Sequence, residues 1–150
     1  MKKQIMRTLL MLSLFVMAGV ANTQAQVRNE FRAQVPFTFT VNNRVFPAGE
    51  YSFERTPTGS SRDVLAIRNL HEARAQMYVL VMSEELAQSP RESTLIFNLY
   101  EGGGYYLARL MDAADGRRVA LPRSRREQQL ARQTATHQTA YVIAALELGR

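Results

Sequence analysis

Val35-Pro36-Phe37-Thr38-Phe39-Thr40-Val41, then Asn42-Asn43, then Arg44-Val45-Phe46-Pro47-Ala48-Gly49-Glu50-Tyr51, is the stretch whose reading decides the fold. Val35, Phe37, Phe39 and Val41 alternate with Pro36, Thr38 and Thr40. A period of two puts the apolar set on one face and the hydroxyl-rich set on the other, the pattern of a half-buried antiparallel strand. Asn42-Asn43 tolerates positive φ and suits a two-residue hairpin turn. Arg44-Val45-Phe46 returns briefly, and Pro47-Ala48-Gly49 turns the chain again.

The same rhythm continues in both directions from this hairpin. Tyr51 and Phe53 alternate with Ser52 and Glu54, and Thr56 to Ser61 has the composition of a loop. Asp63 to Arg68 reads as a strand and Asn69 to Glu72 as a turn. Ala75 to Met82 is apolar in both phases, which predicts a strand covered on both faces. Glu84 to Arg91 is polar and contains Pro90, so an exposed loop with one helical turn is expected. Thr94–Tyr100 and Tyr105–Met111 flank Glu101-Gly102-Gly103-Gly104, the clearest hairpin in the chain. Asp115-Gly116 then turns into a short strand at Arg117–Leu121. About seven or eight strands, with turns every 8–12 residues or so, predict an all-β antiparallel sandwich or small barrel.

The period changes at Ser124-Arg125-Arg126-Glu127, which fits a capping box. The serine hydroxyl can accept from the third helical amide, and the glutamate can reach back to the serine amide. A short C-terminal helix is expected there, through Gln133. Thr134 to Thr139 reads as a polar connector. Tyr141 to Leu148 is apolar, with alternation favouring a strand and Ala144-Ala145-Leu146-Glu147-Leu148 favouring a helix.

The first 25 residues have a different character. Lys2, Lys3 and Arg7 precede the uncharged apolar run Leu9–Val20, and Thr23-Gln24-Ala25 follows. That order predicts a bacterial secretory signal peptide cleaved after Ala25. The run is shorter than the roughly 20 apolar residues of a membrane span, so no transmembrane segment is expected after processing. The organisation expected is therefore a signal peptide at 1–25, a β-domain with its terminal helix at 26–133, and a connector with an apolar tail at 134–150. Half of the formal net charge of +6 belongs to Lys2, Lys3 and Arg7, so the basicity is partly a property of the leader and does not argue for nucleic acid. The absence of cysteine excludes disulfides, thiolate chemistry and cysteine metal sites.

Val35-Pro36-Phe37-Thr38-Phe39-Thr40-Val41, the Phe46-Pro47-Ala48-Gly49-Glu50-Tyr51 piece, the Gly-rich hairpin and Leu121-Pro122-Arg123-Ser124-Arg125-Arg126-Glu127 together resemble a family of small uncharacterised exported proteins of soil bacteria. These read Val-Pro-Phe-Asp-Phe-x-Val, then Leu-Pro-Ala-Gly-x-Tyr, with a Leu-Pro-x-Ser-Arg-Arg-Glu segment later. Thr38 and Phe46 depart from that pattern, and both suit a strand. The resemblance covers roughly residues 33–130 and implies an exported β-domain; it transfers no catalytic residue.

Residues that could carry chemistry are sparse. His71 and His137 are the only histidines, and neither has a partner set for metal binding or nucleophilic catalysis. Glu84/Glu85 and Asp112/Asp115 could work as paired carboxylates, but one pair lies in a polar segment and the other flanks a turn, where aspartate has a local job. Gly102-Gly103-Gly104 precedes a strand rather than a helix, so it reads as a hairpin tip and not a phosphate loop. Tyr100, Tyr105 and Tyr106 could form an aromatic platform, against the commoner use of cross-strand packing. Arg117, Arg118, Arg123, Arg125 and Arg126, with Arg132, are the local charge concentration, able to meet phosphate or carboxylate through forked donors. The expectation is a non-enzymatic exported domain, periplasmic or extracellular, with a structural or interaction role at the cell envelope and no cofactor. The partner would be another envelope protein or an anionic polymer. The alternative is a module for anionic glycans or phosphate-bearing envelope polymers, using those tyrosines and arginines.

Overall fold

The computed structural model describes residues 29–59, 62–102, 104–133 and 138–144. Its strands are β1 (Asn29–Val35), β2 (Phe39–Val41), β3 (Arg44–Phe46), β4 (Gly49–Pro57), β5 (Arg62–Asn69), β6 (Gln76–Glu85), β7 (Ser93–Tyr100), β8 (Gly104–Asp112), β9 (Arg117–Ala120) and β10 (Gln138–Ala144). One helix, α1 (Arg125–Gln133), precedes β10. The leader and its cleavage site, His137, Gly103 and residues 145–148 lie outside the described residues.

All ten strands share one sheet. β1, β4, β5, β6, β9 and β8 follow one another in antiparallel ladders, and β7 continues from β8 to β10. β2 pairs in parallel with the start of β8, through Phe39–Tyr105 and Thr40–Tyr106, and β3 pairs antiparallel with β2. A bulge in the β7–β8 ladder falls at Ile96/Phe97. It brings Leu107 and Leu110 both to the core side, although they are three residues apart.

The alternation read from the sequence sets which face is buried. Phe31, Val35, Phe39, Phe46, Tyr51, Phe53, Leu65, Ile67, Val81, Leu95, Phe97 and Val119 belong to one buried cluster drawn from β1 to β9, with Ala140 and Val142 of β10 packed against it. A single sheet can pool residues from all its strands only by coiling around them. β1 and β10 approach each other across the remaining gap, but no ladder joins them among the described residues. Phe31 stacks on its register partner Phe53, and Phe39 on Phe46, each with centroids 5.3 Å apart. Direct cross-strand aromatic pairs of this kind stabilise by about 0.2–1 kcal/mol relative to a pair of alanines.

The two ends of the coil are closed differently. At one end the β2–β3 hairpin folds over the core. Asn42 and Asn43 take φ of 46° and 69°, as a two-residue hairpin turn of the expected class requires. Arg44 anchors the hairpin to the opposite wall by donating to the carbonyls of Arg74 (2.6 Å) and Gln76 (2.7 Å). The Pro47-Ala48-Gly49-Glu50-Tyr51 turn closes on itself, since the Tyr51 hydroxyl donates to the Pro47 carbonyl at 2.6 Å. Asn69 braces the same end by accepting from the amides of His71 and Glu72, both at 2.8 Å.

The all-β architecture and the short C-terminal helix agree with the sequence reading. Among the described residues the strands number ten and their sheet is not closed into a barrel. Three local expectations are corrected, and one left open is decided. Pro36-Phe37-Thr38 interrupts what read as one strand, although Phe37 keeps to the core side, edge-on to Phe97 and stacked on Tyr105. β6 is covered on one face only, with Tyr78, Leu80 and Met82 exposed. Glu84 and Glu85 end that strand opposite Arg118 and Arg117, and the segment after them has no helical turn. The undecided tail is a strand over Gln138–Ala144, held by β7 from Gln138–Leu99 to Ala144–Ser93.

Candidate functional site

Two polar clusters and one apolar stripe gather the side chains with chemical potential. The first cluster lies under α1. Asn98, Tyr100 and Tyr106 point away from the core, yet all three are buried because the helix lies over them. Ser124 caps α1, its Oγ accepting from the Glu127 amide at 3.2 Å. Glu127 is buried and stands 3.4 Å from Asn98 Nδ2 and 3.3 Å from the Tyr100 hydroxyl, which donates to it. Burial pushes the Glu127 carboxyl up, against the opposing pull of Asn98, Arg123, Tyr100 and the Ser124 amide. Burial and the adjacent glutamate raise Tyr100. The capping box thus also fastens the helix to the outer surface of β7.

The second cluster closes the other end of the core. Arg55 of β4 points inward, in phase with Tyr51 and Phe53, and is only 8% exposed. Its guanidinium donates to Asp63 Oδ2 at 2.9 Å and to Asp115 Oδ2. Ser83 of β6 donates to Asp63 as well. Burial works to raise Asp63, but the Ser83 hydroxyl and the Arg55 guanidinium outweigh it and hold the carboxyl below its usual range. Asp112 is buried nearby and is raised by that burial, while its Oδ1 accepts from the Ala114 amide at 2.9 Å. Here the Asp112/Asp115 pair is divided. One caps its own turn, and the other is an ion-pair partner of Arg55. Neither is arranged as an acid facing a base across a cleft.

The candidate ligand-contacting residues do not converge. Tyr100 and Tyr106 are buried and meet edge-to-face at 5.5 Å, and Tyr105 is half-buried against Phe37 at 3.8 Å. They pack rather than form an exposed platform. Arg117 and Arg118 lie opposite Asp112 and Met111, toward the far end of β8 from Tyr105. Six residues of strand between Tyr106 and Asp112 correspond to about 20 Å. Arg118 pairs with Glu84, and Arg117 lies 3.8 Å from Asp115. Arg123, Arg125 and Arg126 are exposed at the start of α1. His71 is exposed, 3.5 Å from Glu50. No group of three or more metal-ligating side chains forms among the described residues.

The feature the sequence reading missed is the stripe on β6. Tyr78, Leu80 and Met82 are 63%, 57% and 66% exposed, successive outward positions of one strand. Their register partners on β5 are Ala66, Val64 and Arg62, and Ala120 of β9 lies beside Met82. Ala66, Val64 and Ala120 are shorter than the side chains they adjoin, so Tyr78, Leu80 and Met82 stand proud of them. Arg68 covers one end, its guanidinium 5.9 Å from the Tyr78 ring centroid and 2.9 Å from Glu54. A signal existed in the chain: the even-numbered phase of β6 begins at Gln76 and ends at Glu84, polar at both limits.

Comparison with family models, with curated proteins and with solved structures gave no match.

Proposed function

We propose that this chain is an exported, non-enzymatic β-domain that works by surface interaction at the bacterial cell envelope. The observation that carries this reading is the Tyr78–Leu80–Met82 stripe. It is a contiguous apolar feature on a strand whose opposite face packs on the core through Met77, Val79 and Val81. Scattered exposed apolar residues are ordinary, but a contiguous row rimmed by polar groups marks a contact surface. The ionisable groups that could serve acid–base chemistry have structural partners: Asp63 and Asp115 hold Arg55, and the Glu127 carboxylate accepts from Asn98 and Tyr100. The leader order of residues 1–25 supports export.

The test has two parts. Expression of the full chain in a bacterium should yield a periplasmic or secreted form whose mass corresponds to cleavage after Ala25; recovery of the intact chain from the cytosol refutes export. Hydrolase screening of the purified protein should find no turnover. Turnover lost in Glu84→Gln or Asp112→Asn would refute the non-enzymatic reading.

A further inference from the structure

We infer that the outward face of β5, β6, β9 and β8 docks on an anionic lipid surface, with Tyr78, Leu80 and Met82 entering the headgroup region and the surrounding arginines meeting phosphate. This names the partner for the interaction role proposed above and rests on that reading. The argument is one of charge. On these four consecutive strands the outward charged side chains are Arg62, Arg68, Arg109 and Arg118, against Glu84 alone. Glu84 is bound to Arg118, and Glu54 of the next strand, β4, is bound to Arg68.

The rows of the sheet interleave apolar and cationic groups. Arg62, Met82, Ala120, Arg109, Ile96 and Tyr141 are successive register partners across β5, β6, β9, β8, β7 and β10. Such a row presents both halves of an amphipathic contact. Guanidinium groups pair with phosphate oxygens through two parallel donors, and their aliphatic stems tolerate apolar surroundings. Tyrosine suits the boundary, with its ring on the apolar side and its hydroxyl toward water. The alternative occupant is a second copy of this face. Even with Glu84 and Glu54 counted, arginine outnumbers carboxylate on this face, so a second copy would bring two surfaces of net positive charge together, which opposes docking. An anionic surface turns the same arginines into attraction.

The test uses the protein purified from the exporting cell, in whatever processed form its mass shows. Wild type, Leu80→Asp and Val45→Asp are sedimented with vesicles of phosphatidylcholine alone and of phosphatidylcholine mixed with phosphatidylglycerol. Val45 is 64% exposed on the end hairpin, outside the stripe, so its variant matches the charge change of Leu80→Asp. Wild type and Val45→Asp should bind the anionic vesicles, and added salt should weaken that binding. Leu80→Asp should bind about tenfold more weakly, from the loss of one inserted leucine. Leu80→Ser serves in its place if thermal melting shows that the aspartate variant misfolds. Three results would overturn the inference: equal binding by Leu80→Asp and wild type, binding that ignores lipid charge, or none at all. A monomer–dimer equilibrium abolished by Leu80→Asp, without vesicle binding, would assign the face to a second copy instead. Because each comparison is between variants in one processed form, failure of docking stays distinct from failure of export.

Discussion

Replacing Arg55 by methionine tests whether the charged end of the core is a structural lock. The side chain is buried, its Nη1 lies 2.9 Å from Asp63, and its Nη2 bonds Asp115. Methionine keeps much of the aliphatic stem but leaves two carboxylates without the guanidinium between them. Removing one partner of a buried pair costs about 3–5 kcal/mol, mostly from the charge left behind. Against a total stability of about 5–15 kcal/mol, that is a large share. The assay is urea unfolding followed by circular dichroism. With a slope of about 1–3 kcal/mol/M, the midpoint should fall by at least about 1 M at neutral pH. The pH dependence gives a second reading. Asp63 is held low in the folded protein, so its contribution is complete above the ordinary carboxylate range and is lost as pH falls through the lowered value. The gap between wild type and R55M should therefore narrow in acid. Adding Asp63→Asn to R55M should cost much less than Asp63→Asn alone. An unchanged midpoint at neutral pH, or a gap that widens on acidification, would refute the reasoning.

Glu127→Gln keeps an acceptor for Tyr100 and a capping side chain while removing the buried charge. Burial raises Glu127, so its charge is a cost that develops as pH rises above the unfolded value and is complete above the folded one. The variant should match or exceed wild type in thermal stability at pH 7, with the advantage gone in acid; a clear loss at pH 7 would contradict this. Gly49→Ala would place a Cβ 2.9 Å from Asn69 Nδ2, whose amide is pinned by its bonds to His71 and Glu72. Overpacking of that kind should cost about 1–3 kcal/mol by denaturant titration, and a neutral result would show that Asn69 moves freely. Deleting residues 134–150 removes β10 and bares the outer edge of β7. Size-exclusion chromatography should show association through that edge; a truncated chain that stays monomeric and equally stable would make the tail dispensable.

The strands were legible wherever one face met the core and the other met water. The Val35–Val41 alternation, the Asn42-Asn43 turn and the Gly-rich hairpin were read from local chemistry alone, and so was the Ser124–Glu127 cap. What stayed hidden depended on partners distant in sequence. Ala75–Met82 read as doubly covered because both phases are apolar, and nothing local says that only one phase finds a cover. Tyr100 and Tyr106 read as surface candidates because the helix that buries them comes some 20 residues later. The Arg55–Asp63–Asp115 bond spans β4, β5 and the β8–β9 turn, and each residue alone looks like an ordinary surface charge. The capping glutamate was legible as a cap, but its second contact, to Asn98 and Tyr100, required the fold.

If the domain works by the surface interaction proposed above, the placement of these parts puts the contact on the outside of the sheet. A coil of about eight strands has an interior just wide enough for side chains to fill or for one small ligand. Here Phe39, Phe46, Tyr51, Phe53 and Phe97, each no more than 1% exposed, occupy it. One end carries the β2–β3 hairpin, tied across by Arg44, and the other carries the Arg55 ion pairs. A ligand entering between them would have to displace packed aromatic rings and break buried ion pairs. On the outside, α1 already covers β7 and the start of β8, leaving the β5–β6–β9 surface as the broad apolar face that meets solvent. Between the polar limits of β6, Gln76 and Glu84, its exposed groups are chiefly apolar side chains and guanidinium groups. A partner that demands a precise array of hydrogen bonds finds little to match there, whereas a fluid array of phosphates can arrange itself around fixed arginines.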